Sequence, residues 1–212
     1  MVILDLIISP PLPLLMSFRT EEKISLSTSQ SHDIVDNLND LGMKSLYPKR
    51  LISSIYFDTS NFQMLDDSEE GLLPRKKIRI RSYNNSANQS LLEKKISSIE
   101  GRFKTSSQIE HQIKKGYFKN GYFDRQYGIL FPKVRVEYER HYYKLDNLRV
   151  TLDSNIRYCG FKGECFIRET SNVLEFKGSV NISQDDLYQY MPSQRRRFSK
   201  FANAMNAIYK KY

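Results

Sequence analysis

The 212-residue sequence predicts an α+β protein built on a closed antiparallel β-barrel with a cationic lumen, flanked by a few helices that include one at the C-terminus. Three observations carry that expectation. Strand signals outnumber helix signals, the connections are short enough for antiparallel neighbours, and strand after strand sets an apolar side against a side rich in Lys and Arg. The clearest case is Arg75, Lys77, Arg79 and Arg81, with Ile78 and Ile80 between the last of them. Alternate side chains of a strand share a face, so this segment points a row of cations one way. Neighbours in the row stand about 7 Å apart and repel each other by about 2 kcal/mol at an effective dielectric of 20. Such a row is tolerated facing open water or set against a highly charged anion.

The elements follow in order. Phe18 to Ser27 reads as a strand, and Ser31 to Leu41 as a helix with Ile34, Val35, Leu38 and Leu41 on one stripe and Gly42 placed to end it. Leu51 to Thr59 is rich in β-branched and aromatic residues. Arg75 to Tyr83 and Ser90 to Ile99 form a hairpin around the polar segment 84–89. Gln108 to Tyr117 reads as a short helix, and Lys133 to Tyr143, Leu148 to Asp153 and Ser171 to Ser179 as strands. The turn-rich stretch from Arg157 to Thr170 is either a loop or a further hairpin. Ser193 opens a last helix with Phe198, Phe201, Met205 and Ile208 at helical spacing.

No internal repeat or long linker divides the chain, so 17–212 reads as a single domain. The apolar extension 1–16 carries Asp5, is broken by Pro10, Pro11 and Pro13, and fits neither a membrane span nor a signal peptide. Met16 is the expected native start, with a membrane-associating or partner-binding tail as the competing reading.

Hydrophobic content of 40%, with 14 Tyr and 12 Phe, is enough for a sizeable core. Lys plus Arg exceed Asp plus Glu by 33 to 24, a net charge of +9. That balance favours an anionic partner: nucleic acid, a membrane surface or a polyphosphorylated small molecule. Cys159 and Cys165 make no disulfide framework, and His32, His111 and His141 join them in no zinc spacing. A reducing cytoplasm is the expected compartment, with attachment at the periphery of the cytoplasmic membrane as an option.

The basic row has company. Glu93 and Lys95 share a face, as do Tyr138, Arg140 and Tyr142; so do Arg149, Thr151 and Asp153, and again Glu175, Lys177 and Ser179. On one strand such alternation usually marks a solvated outer face. Repeated across six, mostly with cations and a single Glu beside a Lys, it favours polar faces that converge on a tunnel. A tunnel of that kind suits a triphosphate or a longer phosphate chain, with Glu side chains free to hold a divalent metal. No P-loop, glycine-rich cradle or kinase motif set is present, so side chains must hold the phosphates. A nucleic-acid groove would interleave exposed aromatics with basic residues in a recognisable module, and that partner is disfavoured.

Several motifs fall in a family order: Phe18-Arg-Thr-Glu-Glu-Lys23, SIYFDT at 54–59, Arg79-Ile-Arg81, LLEKK at 91–95, YER at 138–140, RVTLD at 149–153, LEFKGS at 174–179 and FSKF at 198–201. Together they resemble the VTC domain, the polyphosphate polymerase domain of the vacuolar transporter chaperone family, within the triphosphate tunnel metalloenzyme superfamily. The resemblance runs from about Phe18 to the C-terminus. It implies transfer of the ATP γ-phosphate to a growing inorganic polyphosphate chain, release of ADP, and a divalent metal, Mn2+ or Mg2+.

Carried over by motif, the resemblance makes Arg79, Arg81, Arg140 and Lys177 the residues that align and neutralise donor phosphates. Lys23, Lys95, Arg149 and Lys200 become further phosphate ligands, Tyr138 and Ser199 hydrogen-bonding partners, and Glu175 the metal ligand. Lys104 matches a further tunnel lysine, with Arg102 contesting the position, and 102–133 is left without an alignment. Glu21, in an R-x-E-x-K segment, resembles the metal-binding glutamates of tunnel hydrolases, whose pattern is E-x-E-x-K. Arg19 standing for their first Glu favours the polymerase branch. The implied partners are ATP and inorganic polyphosphate, and any membrane partner is expected to be a separate protein. A tunnel hydrolase acting on tripolyphosphate or a nucleoside triphosphate is the alternative enzyme, and a non-catalytic polyphosphate-binding module the third reading.

Overall fold

A computed structural model describes residues 21–84, 90–163, 166–178, 183–191 and 198–209. Along the chain, β1 (Glu21–Leu26), α1 (Thr28–Asp40) and β2 (Lys44–Asp58) come first. The helix α2 (Gln63–Glu70) leads into a meander of β3 (Arg75–Tyr83), β4 (Ser90–Ser98) and β5 (Gly101–Ile109). Next come α3 (His111–Asn120), the short β6 (Tyr122–Asp124) and the long strands β7 (Gly128–Leu145) and β8 (Leu148–Gly160). The strands β9 (Ile167–Arg168) and β10 (Asn172–Lys177) are followed by α4 (Gln184–Tyr188) and α5 (Lys200–Tyr209). The expected extension 1–16, the start of the expected first strand at Phe18, the segment 85–89, Cys165 and the expected helix start at Ser193 lie outside the described residues.

The strands form one antiparallel sheet in the order β1-β10-β8-β7-β2-β3-β4-β5, with β6 beside β7 and β9 beside β8. The sheet curls into an open half-barrel rather than the closed barrel expected. Its edges are β1 and β5, and among the described residues no pairing joins them. Ladder hydrogen bonds require strands about 4.8 Å apart. Lys23 of β1 faces Lys95 of β4 across the gap, close enough for its charge to act on that lysine. Glu21 and Glu175 offset that charge, and the edge strand β5 is largely exposed and polar, so it offers little apolar surface to draw β1 across the gap.

Two apolar clusters hold the sheet. On the convex side of β1, β10 and β8, Ile24, Leu174, Phe176 and Val150 are buried with Leu38 of α1 and Leu187 of α4. The expected stripe of α1 is narrower than its sequence reads, because Leu41 lies past the last turn and is 61% exposed. The helix begins earlier than expected, since Ser27 caps it: the Ser27 hydroxyl accepts from the Gln30 N–H (3.1 Å), and Gln30 Oε1 accepts from the Ser27 N–H (2.9 Å). Gly42, with φ +92°, takes the left-handed conformation that lets the chain turn out of α1.

The second cluster lies under α5. Phe201, Ala204 and Met205 are buried with Val134, Val136 and Tyr158 on the concave side of β7 and β8, so this helix fills one end of the half-barrel. No helix among the described residues is long and apolar enough to cross a membrane.

Two segments differ from the sequence expectation, and a third settles an alternative that it left open. The segment 101–109 is a strand, and the expected helix at Gln108 begins instead at His111. The stretch after Arg157 is a hairpin, with Arg157 opposite Arg168 and Tyr158 opposite Ile167. The helix α2 is short, with Met64 and Leu65 as its only apolar residues, and its cap is remote. Asp58, fully buried, accepts from the N–H groups of Thr59 (2.7 Å), Met64 (2.9 Å) and Leu65 (3.1 Å), while the residue at the helix start, Phe62, offers no side-chain acceptor. Replacing Asp58 by alanine strands those donors and is expected to lower stability by about 2–3 kcal/mol. An unchanged urea midpoint for Asp58→Ala would show that α2 does not depend on this carboxylate.

Candidate functional site

Paired residues of neighbouring strands share a face, so the register defines the concave lining. Tyr56 stands opposite Arg79, Ser54 opposite Arg81, Arg79 opposite Glu93, and Lys77 opposite Lys95, itself opposite Lys104. On the other half, Arg140 stands opposite Asp153, Thr151 opposite Glu175, Glu175 opposite Lys23, and Lys177 opposite Glu21. The apolar residues between them, such as Ile78, Ile80, Val150 and Phe176, face away and are buried behind the sheet. The alternation seen in sequence therefore separates core from lumen.

Buried carboxylates anchor the cations in three groups. Glu93, 2% exposed, accepts from Arg79 Nε (2.7 Å) and Lys104 Nζ (2.5 Å), with Arg81 Nε at 3.5 Å. Asp153 accepts from Arg140 Nε (2.5 Å) and Nη2 (2.7 Å) and from Lys200 Nζ (2.6 Å). Glu175 lies 2.7 Å from Lys177 Nζ, 3.4 Å from Lys23 Nζ and 3.8 Å from Arg140 Nη2. Arg140 thus links the second and third groups. Burial alone would raise the Asp153 carboxyl, but Lys200 and then Arg140 overcome it and hold the group below the usual carboxylate range. Lys23, Lys177 and Arg140 likewise hold Glu175 well below the usual carboxylate range against the same burial.

Polar atoms without partners face the same space. The hydroxyls of Ser54, Tyr138 and Thr151 and the Nε–H of Arg81 are buried and make no hydrogen bond. The Tyr138 ring lies under Lys200 (4.6 Å) and Arg140 (5.4 Å). A buried polar group left unpaired costs on the order of 1–3 kcal/mol, and these four lie together along one basic lining.

The sequence-predicted residues sort clearly. Arg79, Arg81, Lys104, Tyr138, Arg140, Lys177, Lys23, Glu21, Glu175 and Lys200 meet at the lining through the contacts above. Ser199 joins from the start of α5, accepting from Lys77 Nζ at 3.0 Å. Lys95 faces the same space, close to Lys23 and Glu21. Arg149 shares their face but is exposed at the rim, opposite Lys177. The contested pair, Arg102 and Lys104, lies on one face of β5, and Lys104 is the one that reaches Glu93. Lys77, Tyr56, Glu93 and Asp153 belong to the site without having been assigned to it. Lys77 stood in the basic row and Glu93 in LLEKK, so alternation carried a signal for both.

Among the described residues, no three His, Cys, Asp or Glu side chains gather as a complete metal cage. Glu21 and Glu175 converge by contacting the same two lysines, Lys23 and Lys177, the first through a short Lys23–Glu21 hydrogen bond. A pair of carboxylates suits Mg2+ or Mn2+ of the kind that completes its shell with substrate phosphates and water.

Two lysines are shifted the other way. Burial, then Arg75, Lys23 and Arg102, push Lys77 down to about 8, and burial with Lys23 brings Lys95 to about 8. A lysine whose folded pKa lies below its ordinary 10.5 binds fewer protons folded than unfolded between those values. The unliganded protein should therefore gain stability as pH rises from about 8 toward 10, before tyrosines exposed by unfolding begin to ionise. Thermal melts should show Tm rising across that window, with the rise reduced in Lys77→Met and Lys95→Met. A flat wild-type profile would contradict the crowding of these two ammonium groups.

An antiparallel half-barrel with an apolar back, a cationic concave lining and one end filled by a helix is a fold of the triphosphate tunnel type. The chain belongs to the VTC domain family, whose model matches residues 18–209. No curated protein matches it. Among solved structures it is similar to a candidate adenylate cyclase from Bacillus halodurans, with a TM-score of 0.63 and 16% identity over 88% of this chain and 97% of that one. A candidate adenylyl cyclase from Hippeastrum, described as having a dominant triphosphatase activity, has a TM-score of 0.55 at 17% identity, covering 89% of this chain and 95% of that one. A protein from Pyrococcus horikoshii OT3 has a TM-score of 0.54 at 15% identity over 89% and 99% of the two chains. At these identities the likeness is one of fold.

Proposed function

We propose that the protein is a metal-dependent polyphosphate polymerase that transfers the γ-phosphate of ATP to a growing inorganic polyphosphate chain and releases ADP. The observation that carries this reading is the convergence of Arg79, Arg81, Arg140, Lys177 and Lys200 on one lining that also holds unpartnered buried donors. Phosphoryl transfer asks mainly for alignment and charge stabilisation. In the reading offered here, Arg79, Arg81, Arg140 and Lys177 neutralise and align the donor phosphates, with the Tyr138 hydroxyl donating to one of them. Lys23, Lys95, Lys104, Arg149, Lys200 and Ser199 hold the remaining phosphates of donor or chain. A terminal phosphate oxygen of the acceptor attacks the γ-phosphorus, the bond to the β–γ bridging oxygen breaks, and ADP leaves with that electron pair.

The carboxylates favour a phosphate rather than a water nucleophile. Asp153 and Glu175 are held ionised by their cations, which makes them weak bases for deprotonating water. A polyphosphate end is already ionised at neutral pH and needs no base. Glu175, with Glu21, would hold the divalent metal, which when bound adds positive charge against the phosphate oxygens. Removing the Glu175 charge should weaken metal use specifically, so Glu175→Gln should raise the manganese concentration needed for half-maximal activity about tenfold or more. An unchanged manganese titration would remove Glu175 from that role.

Tunnel hydrolysis of tripolyphosphate or a nucleoside triphosphate is the second reading, favoured by the triphosphatase activity described for the Hippeastrum protein of similar fold. Products separate the two. Purified protein with ATP and manganese, with and without a short polyphosphate primer, should yield a ladder of long chains matched by ADP. Free phosphate without chains would assign the hydrolase. Polyphosphate binding without turnover would leave a binding module.

A further inference from the structure

The first half of β2 is built unlike the rest of the sheet. Residues 44–50 are exposed, and their pairing with β7 shifts register twice, between Ser45 and Tyr47 and again between Tyr47 and Arg50. Tyr47 stands opposite Tyr142 and Arg50 opposite Arg140. In an unbroken strand, residues three apart point to opposite sides. The extra residue between Tyr47 and Arg50, in a stretch that holds Pro48, brings both beside β7 residues that share the concave face. Bulges of this kind re-aim side chains at the rims of barrels.

The side chains so gathered are aromatic as well as basic. The Arg50 guanidinium lies 5.7 Å from the Tyr47 ring centre and 5.6 Å from that of Tyr142, and the two rings meet edge to face at 5.9 Å. Tyr83, at the end of β3, lies under the Arg81 guanidinium at 6.0 Å. Tyr47 is 50% exposed, and among the described residues Arg50 has no ion-pair partner. Phosphates explain the cations of the lining but not the exposed Tyr47 ring and the half-buried Tyr142 ring at its rim. Aromatic faces and a stacked guanidinium bind the flat face of a nucleobase.

We infer that the Tyr47–Arg50–Tyr142 cluster holds the base of a nucleoside triphosphate, so that the donor lies with its base at this rim and its phosphates running inward past Arg140. This rests on the reading of the lining as a triphosphate site and adds where the base of the donor lies and which way the donor runs. Stacking reads no base edge, so adenine and guanine nucleotides should bind alike, and both should bind better than their bare phosphate chain.

The test is isothermal titration of the full-length protein with the β,γ-imido analogues of ATP and GTP and with inorganic tripolyphosphate, for wild type, Tyr47→Ala and Tyr47→Ala/Tyr142→Leu. The expected result is a loss of nucleotide affinity of about ten- to hundredfold in the double variant, the size of one stacked base, with tripolyphosphate affinity held within about twofold. Nucleotide affinity that does not change in either variant would overturn the inference. Equal losses for nucleotide and tripolyphosphate would also overturn it, because the rings would then serve the lining and not the base. Wild type that binds none of the three would defeat the phosphate reading of the lining itself, an outcome distinct from both.

Discussion

Replacing Asp153 by asparagine should cost about 3–5 kcal/mol of stability, the range for removing one member of a buried ion group. Asp153 is 1% exposed and accepts from two cations that arrive from different elements, Arg140 on β7 and Lys200 on α5. The substitution leaves both positive charges close together in a buried setting, with one fewer anion between them. It also removes the polar tie that fastens α5 across the half-barrel. The sign of the pH effect follows from the depressed carboxyl. Its stabilisation is present above the ordinary pKa of 3.8 and is lost as pH falls through the folded value below it. Chemical denaturation should show wild type losing stability steeply below pH 4, with a shallower fall in Asp153→Asn. A variant as stable as wild type at pH 7 would mean that solvent, not Asp153, neutralises Arg140 and Lys200.

The largest effect on activity is expected at Arg81. Arg79 already engages Glu93 closely, and Lys104 takes the other oxygen, while Arg81 stands 3.5 Å off with its Nε–H unpaired. Arg81 Nη1 reaches the Tyr83 hydroxyl at 3.4 Å, which leaves Arg81 more donors to spare for a phosphate than Arg79. Under the proposed function, Arg81→Ala should lower turnover about 100- to 1,000-fold, the scale of removing one preorganised donor from a charged transition state. The fold should survive, because Glu93 keeps Arg79 and Lys104. Arg81→Lys should recover only part of the loss, since an ammonium keeps the charge but not the planar fork. Near-normal chain synthesis by a folded Arg81→Ala protein would remove Arg81 from the catalytic group.

How much of this could be read beforehand depends on where the determining interactions lie. The strand β3 runs from Arg75 to Tyr83 as its alternation predicts, because a period of two is a local signal that survives wherever one face is buried. The lining was legible for the same reason. Placing Arg79, Arg81, Arg140 and Lys177 on one face per strand required only alternation and the family motifs.

What depends on contacts distant in sequence was harder to see. Asp58 starts α2 from the end of β2, so no residue at the helix start announces it. The strand β5, RFKTSSQI after Gly101, lies at an exposed edge where polar side chains blur the alternation. Lys104 and Arg102 were accordingly hard to rank until the register set Lys104 opposite Lys95. Closure was the least legible feature, since it depends on whether edges about eighty residues apart in sequence pair, which no local pattern records.

Among the described residues the edges β1 and β5 are unpaired, which has a topological consequence. A rope passes through a ring only if one of its ends is free, but it can be laid into a gutter anywhere along its length. With α5 stopping one end and a seam running between the two edges, a long anion could be set down sideways and lifted out the same way. Loading would then require no terminus, and release would be governed by how many phosphates lie in the gutter at once rather than by the total length of the chain.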